Sequence, residues 1–413
     1  MLLGACGDDA AAPDLGPEPG TIEVLASTAG GHLDPDGYVI TLNGLASQSV
    51  AANGLVRFRD IAEGSHEVEL SGEADNCEPA GGNPRTLATS SGGTTQTLFE
   101  VTCVRIERIL FGSDRTGDLD LWMMEPDGSD ERNLTEAAGD DVGADWSPDG
   151  MSIAFSSVRS GDNEIWTMTA DGSSPQNLTN APGDDSRPRW SPAGTYIVYV
   201  SARTGDEEIW LMEADGSNPR QLTDVSGADS GPDWSPDAAL IAFVSLRSGS
   251  RDVWVMDANG TNPANVSSHP GDDHEPRWSP DGARMLFRSG RSGKEEIWVM
   301  DADGSNATQL TNDPAAENLD ARWSPDGSRI VFTSNRTGDY DVWTVGPDGS
   351  GPMNLTDEPG NDSEARWSND GSRLVFASDR TGDSEVWVMD ADGSNPTRLT
   401  ELAGRDAEPV WRR

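Results

Sequence analysis

The chain has 413 residues and a formal charge of −43, from 29 basic and 72 acidic side chains. That length exceeds one ordinary core, and the 46 Gly and 26 Pro suit short strands and tight turns better than long helices, so an all-β class with two or three domains is expected. A surface this negative repels phosphate backbones and anionic headgroups, which argues against nucleic acid and for cations or basic proteins as partners.

Residues 1–20 read as a leader remnant and flexible tether, rich in Asp, Ala, Pro and Gly from Gly7 onward. Leu2-Leu3-Gly4-Ala5-Cys6 resembles the lipobox of bacterial lipoproteins, which implies acylation at Cys6. The apolar stretch before the Cys is too short for a secretory signal, so either the start is truncated or the likeness is chance. No later segment is an apolar run of membrane-spanning length, so attachment to a membrane is expected only through lipid.

Residues 21–105 alternate as half-buried strands, for example Tyr38-Val39-Ile40-Thr41-Leu42 and His66-Glu67-Val68-Glu69-Leu70, with Asn43-Gly44, Asn53-Gly54 and Glu63-Gly64 marking turns. This predicts a small antiparallel β-sandwich. Through its DPDGY, EGSHEVEL and closing Phe99-Glu100-Val101-Thr102-Cys103 the segment resembles PEGA-like and carboxypeptidase-regulatory-like modules, which implies a spacer role. With Cys6 set aside, Cys77 and Cys103 are the remaining pair, most simply a disulfide in an exported protein.

From residue 106 to 413 the sequence repeats. Trp146, Trp190, Trp234, Trp278, Trp323, Trp367 and Trp411 form one set, and Trp122, Trp166, Trp210, Trp254, Trp298, Trp343 and Trp387 the other; members stand 44 apart with one step of 45 in each set. Four short strand-like pieces per repeat make a propeller blade, with WSPDG and DGS as the turns. The region begins without a WSPDG strand and ends on an orphan one, Glu408-Pro409-Val410-Trp411. A seven-bladed β-propeller closed by its C-terminal strand is therefore predicted. The units WSPDG, IAFxS, SxRTGD, EIWVMDADG and NPxxLT resemble the TolB-like propeller repeat, although TolB is usually described as six-bladed, so no role in the Tol system is implied.

Three rows of residues across the repeats are candidate sites. Arg115, Arg159, Arg203, Arg247, Arg291, Arg336 and Arg380 are identical in every repeat, which suits a structural ion pair or turn brace. Five residues before the first Trp stand Asp141, Asp185, Asp229, Asp273, Asn318, Asp362 and Asp406. These should ring one mouth of the channel, where the Asp either cap backbone N–H groups or share a metal; resemblance to TolB-like propellers adds calcium as the candidate. Three residues before the Trp the repeats differ, as Gly143, Arg187, Gly231, Glu275, Asp320, Glu364 and Glu408. A mouth lined by these would suit a basic peptide or a cation.

His269 and His274 flank Gly271-Asp272-Asp273 and, with Asp273 and Glu275, could form a His/carboxylate metal site like that of some propeller lyases. The sequence contains no GxSxG nucleophile elbow. The DADGSN segments at Asp301 and Asp390 lack the EF-hand Gly and Glu and read as hairpins. The expected function is a non-catalytic extracytoplasmic binding scaffold, monomeric and lipid-anchored in the bacterial periplasm or at the cell surface, with a peptide or protein partner and no required cofactor. The alternative is a metal-dependent, lyase-like carbohydrate-active enzyme using the same mouth.

Overall fold

The computed structural model describes residues 18–30, 37–72, 77–103 and 107–412. Among them every regular element is a strand, and the chain divides into two compact units, Met1–Ile106 and Glu107–Arg413. Cys6 lies outside the described residues.

The first unit contains β1 (Gly20–Gly30), β2 (Tyr38–Leu42), β3 (Ala46–Val50), β4 (Gly54–Ile61), β5 (Gly64–Ser71), β6 (Cys77–Pro79), β7 (Arg85–Thr89) and β8 (Thr94–Cys103). They form two four-stranded sheets, ordered β4-β1-β8-β6 and β3-β2-β5-β7. Alternation sends Ile22, Val24 and Phe99 from one sheet and Tyr38, Ile40 and Val68 from the other into one apolar core. The expectation of a purely antiparallel unit is corrected here: β1 and β8 run parallel, from Thr21 opposite Thr94 to Gly30 opposite Cys103. Alternation tells which face a side chain takes and not which way the strand runs; the long crossover that a parallel pair needs is supplied by the strands between them. The Cys77–Cys103 disulfide joins β6 to β8.

The second unit is a propeller of seven four-stranded sheets. Sheet I takes Ile109–Ser113, Asp120–Met124 and Arg132–Asn133 from its start and the strand Asp406–Trp411 from the C-terminal end. The inner strands of sheets II to VII are Asp141–Trp146, Asp185–Trp190, Asp229–Trp234, Asp273–Trp278, Asn318–Trp323 and Asp362–Trp367. The WSPDG turn has a clear local cause. Ser147 Oγ donates to Asp149 Oδ1 at 2.6 Å and accepts from Ser152 N at 2.9 Å, while Gly150 takes the positive φ of 69° that the turn requires.

No sheet can cover both of its own faces, and seven apolar clusters solve this by each joining two neighbouring sheets. Phe155 of sheet II packs with Leu110 and Met123 of sheet I, and Ile109 and Trp411 of sheet I pack with Val386 and Val388 of sheet VII. The clusters thus run in a cycle. Phe111, Phe155, Tyr199, Phe243, Phe287, Phe332 and Phe376 occupy equivalent, fully buried places, each phenylalanine contributing about 1.5–3 kcal/mol of apolar burial. Closure is zipped by Asp406 opposite Ser113 and Trp411 opposite Ile109. Arg412 adds a latch across to sheet II, its Nε donating to Gly150 O at 2.7 Å.

Candidate functional site

The repeated Arg is a brace. Arg159 Nε donates to Ser157 Oγ at 2.8 Å and its Nη2 to Asp141 Oδ2 at 2.6 Å, while the guanidinium lies 4.9 Å from the Trp166 ring centre. The same three contacts recur at Arg115, Arg203, Arg247, Arg291 and Arg380, and at Arg336 with Asn318 Oδ1 as the acceptor. A guanidinium sandwiched between a carboxylate and an indole fixes both inner strand and outer strand, as a structural residue should.

The expected carboxylate ring at the mouth is corrected by the same contacts. Asp141, Asp185, Asp229, Asp273, Asp362 and Asp406 are fully buried, and each spends Oδ2 on its arginine. Among the described residues no group of three or more His, Cys, Asp or Glu side chains is placed to hold a metal ion. The reason lies in the strand. A β-bulge between Ser186 and Arg189, repeated at Ser230/Asp233, His274/Arg277, Leu319/Arg322, Ser363/Arg366 and Ala407/Val410, interrupts alternation. Residues five and three before the Trp therefore do not share a face.

The variable row sits on that bulge. Gly143 and Gly231 have φ of 65° and 61°, and Arg187, Glu275, Asp320, Glu364 and Glu408 adopt 56°, 53°, 54°, 58° and 52°. Glycine fits this left-handed position without strain, whereas each side chain there costs on the order of 1–2 kcal/mol. Five of the seven sheets carry that cost, and four consecutive ones carry it for an acid. Glu364 reaches the next sheet, where its Oε2 accepts from Glu408 N. Burial pushes the Glu364 carboxyl up, helped by Glu408 and Asp320 and opposed by that backbone N–H. For Glu275 burial is outweighed by Arg288, Arg322 and Arg277, which hold its carboxyl below the usual range.

A further row was not singled out from sequence. One residue before the Trp stand Asp145, Arg189, Asp233, Arg277, Arg322, Arg366 and Val410. Asp145 and Asp233 accept from the backbone N–H of Trp190 and Trp278 in the next sheet, at 2.8 and 3.0 Å. Arg277, Arg322 and Arg366, on three successive sheets, each turn Nη1 onto the preceding carbonyl at 3.0, 2.8 and 3.1 Å. The signal was present in the sequence as a second row that differs between repeats.

Among the described residues His269 and His274 do not join Asp273 and Glu275 in a group placed to hold a metal ion. His269 Nδ1 accepts from Gly271 N at 3.1 Å beside a cavity of about 470 Å³ lined also by Asp252, Asn265 and Ser268. His274 is half-buried, and burial followed by Arg288 and Arg251 pushes its pKa down. A second cavity of about 530 Å³ lies between Pro325 and Asn369. Neither cavity contains a residue of the bulge row.

Comparison with known proteins agrees with this architecture. The TolB beta propeller domain family matches residues 105–224, 176–269, 263–351 and 314–413. No curated protein matches. Among solved structures, TolB from Acinetobacter baumannii aligns at 19% identity over 85% of this chain and 80% of its own, with a TM-score of 0.51. An oligogalacturonate lyase in complex with manganese aligns at 17% identity over 62% of this chain and 75% of its own, TM-score 0.54. A Mycobacterium tuberculosis puromycin-hydrolyzing peptidase aligns at 18% identity over 70% of this chain and 51% of its own, TM-score 0.56. At such identities the likeness is one of fold, and a lyase and a peptidase carry that fold as TolB does.

Proposed function

The chain belongs to the TolB beta propeller domain family, and from that premise we propose that it is a non-catalytic, extracytoplasmic binding scaffold. Its seven sheets act as the blades of one ring, and the channel mouth takes up a peptide or protein partner bearing basic groups. One observation carries the reading: Glu275, Asp320, Glu364 and Glu408 occupy left-handed positions where glycine stands in two other sheets. Strain retained at adjacent positions of one wall is what a binding surface requires and what a solvated rim has no reason to keep. Localisation in the bacterial envelope, with a lipid anchor at Cys6 and the first unit as spacer, completes the proposal; no cofactor is needed for it.

The metal-dependent lyase reading is not carried forward, because its ligands are not assembled among the described residues. Elemental analysis of the wild type and of His274→Ala checks that choice: a transition metal lost on substitution reinstates the enzyme.

The scaffold itself is tested with a fluorescently labelled arginine-rich peptide and anisotropy. Neutralising the wall (Glu275→Gln, Asp320→Asn, Glu364→Gln, Glu408→Gln) is expected to weaken binding at least tenfold. Neutralising four exposed hairpin acids (Asp127, Asp215, Asp303 and Asp392) should leave it nearly unchanged. Equal losses in both variants would show only the diffuse attraction of a chain with charge −43.

A further inference from the structure

The wall of acids and the three arginines next to it are two layers of opposite charge that do not neutralise each other by contact. Asp320 and Arg322, and likewise Glu364 and Arg366, stand two residues apart across the bulge, and each acid is among the charges that act on the arginine beside it. No ion pair within contact distance joins Arg322 or Arg366 to any carboxylate among the described residues. Each guanidinium has five N–H donors, and the hydrogen bonds these two make are one each, to Ala321 O and Ala365 O. Burial, then Arg277 and Arg366, depresses the Arg322 pKa, with Asp320 and Glu275 opposing. On the acid side, Glu275 Oε1 lies 3.5 Å from Arg288 Nη2 while its Oε2 has no hydrogen-bond partner, and Asp320 and Glu408 make no ion pair among the described residues.

Two guanidiniums without a carboxylate partner, beside acids that do not reach them, are costly unless something completes both. A purely cationic ligand would serve the acids and be repelled by the arginines, and a purely anionic one the reverse. We propose that the throat at Arg322 and Arg366 is a binding site for a zwitterionic group, with a carboxylate gripped by these guanidiniums and an ammonium or guanidinium received by Asp320, Glu364 and Glu408. Planar guanidiniums recognise carboxylates through paired N–H donors, which suits this assignment. A peptide ending in a basic residue and a free ω-amino acid share this chemistry. The inference rests on the channel being the binding face, and names what enters it.

The test is calorimetric titration of the full chain with 6-aminohexanoate, and with hexanoate and hexylamine, which each keep one charge. The zwitterion is expected to bind saturably, at one per chain, at least tenfold more tightly than either single-charge analogue. Arg322→Met and Arg366→Met should reduce it to the level of hexylamine. Their melting temperatures should hold or rise, because an unpaired cation is removed; a structural arginine would instead give a clear fall. Arg322→Lys, which keeps charge without the planar fork, should bind several-fold more weakly than the wild type and guards against loss of fold.

Equal affinity for hexylamine and the zwitterion, or unchanged binding in Arg322→Met, would overturn the proposal. A lysine-terminated peptide that binds with a free carboxylate and not as its amide identifies a chain end as the ligand; binding of the amino acid alone identifies a small molecule. If the arginine-rich peptide of the preceding section binds while every zwitterion fails, this inference falls and the scaffold reading stands. If neither binds, both fall.

Discussion

Asn318 Nδ2 donates to Glu296 Oε2 at 2.8 Å, across the junction between sheets V and VI, with both side chains buried. At other junctions an Asp occupies the place of Asn318 and meets an acid: Asp229 lies by Glu208, Asp185 by Glu164, Asp362 by Asp341 and Asp406 by Glu385. These Asp keep a buried Oδ1 with no donor. Asn318 supplies there an N–H to the neighbouring acid, where an Asp offers none unless one of the two carboxyls holds a proton.

Stability should therefore rise as pH falls from 8 towards 5. Burial is the main cause that pushes the Glu208 carboxyl from 4.5 up to about 7, with Asp229 adding to it and Thr223 opposing it. A pKa raised on folding means that the folded state takes up the proton more readily, so the stabilisation is complete below about 4.5 and lost as pH rises through about 7. Turn carboxylates act in the opposite sense at lower pH. Asp326 and Asp370 are held down to about 2 by Ser324 and Ser368, so their contribution is lost as pH falls below the ordinary carboxylate range. Melting temperature measured from pH 3 to 9 should pass through a maximum on the acid side of neutrality; a maximum at pH 8 or above contradicts the shared-proton picture.

Asn318→Asp should make the one neutral junction like the rest. It replaces a satisfied donor by a second buried carboxylate, at a cost of about 1–3 kcal/mol at pH 8, and most of that loss should disappear at pH 5. Chemical denaturation at the two pH values reads the difference. Glu208→Gln should act in the contrary direction, flattening the pH dependence.

The regularity of the repeat made much of this molecule readable in advance, and irregularity hid the rest. A period of 44 residues with two Trp per unit implied the sheets and the strand donated from the C-terminal end, and identity across repeats marked Arg159 and its equivalents as structural. The place of Asp141 and its counterparts was misread because a bulge shifts the alternation, and a bulge on a non-glycine residue such as Glu275 leaves no mark in one-letter code. Arg277, Arg322 and Arg366 were less legible because their row mixes Asp, Arg and Val, and nothing in one-letter code marks a strand arginine as lacking a carboxylate partner. Strand direction in the first unit was invisible, since β1 and β8 alternate identically whether parallel or antiparallel.

Arg159→Lys should not behave as a conservative change. Lysine can keep a charge near Asp141 but cannot also bind Ser157 and stack on Trp166, so a loss of about 2–3 kcal/mol is expected, short of that for a fully broken buried pair. Arg159→Met, which leaves Asp141 buried and uncompensated, should cost more, about 3–5 kcal/mol. A urea melt ranks the three proteins; equal stability of the wild type and the Lys variant would remove the brace from the account.

Removing residues 406–413 should cost the propeller far more than its share of length. Sheet I would lose its inner strand, Ile109 and Phe111 their cover by Trp411, and Arg115 its acceptor Asp406. Calorimetry should show loss of the cooperative transition of the ring. A peptide spanning 404–413 added to the truncated chain should restore part of it, by supplying the missing strand to the open edge.

The pairing of Arg115 with Asp406, 291 residues apart, also sets the order of events during synthesis. Sheets II to VII can each be assembled from contiguous chain as it emerges, but the edge of Ile109–Ser113 stays open until almost the whole ring has been made. For that interval the nascent protein presents an unprotected strand that another chain could occupy as readily as its own. Shielding that early segment until translation supplies its mate should therefore favour correct closure over mispairing.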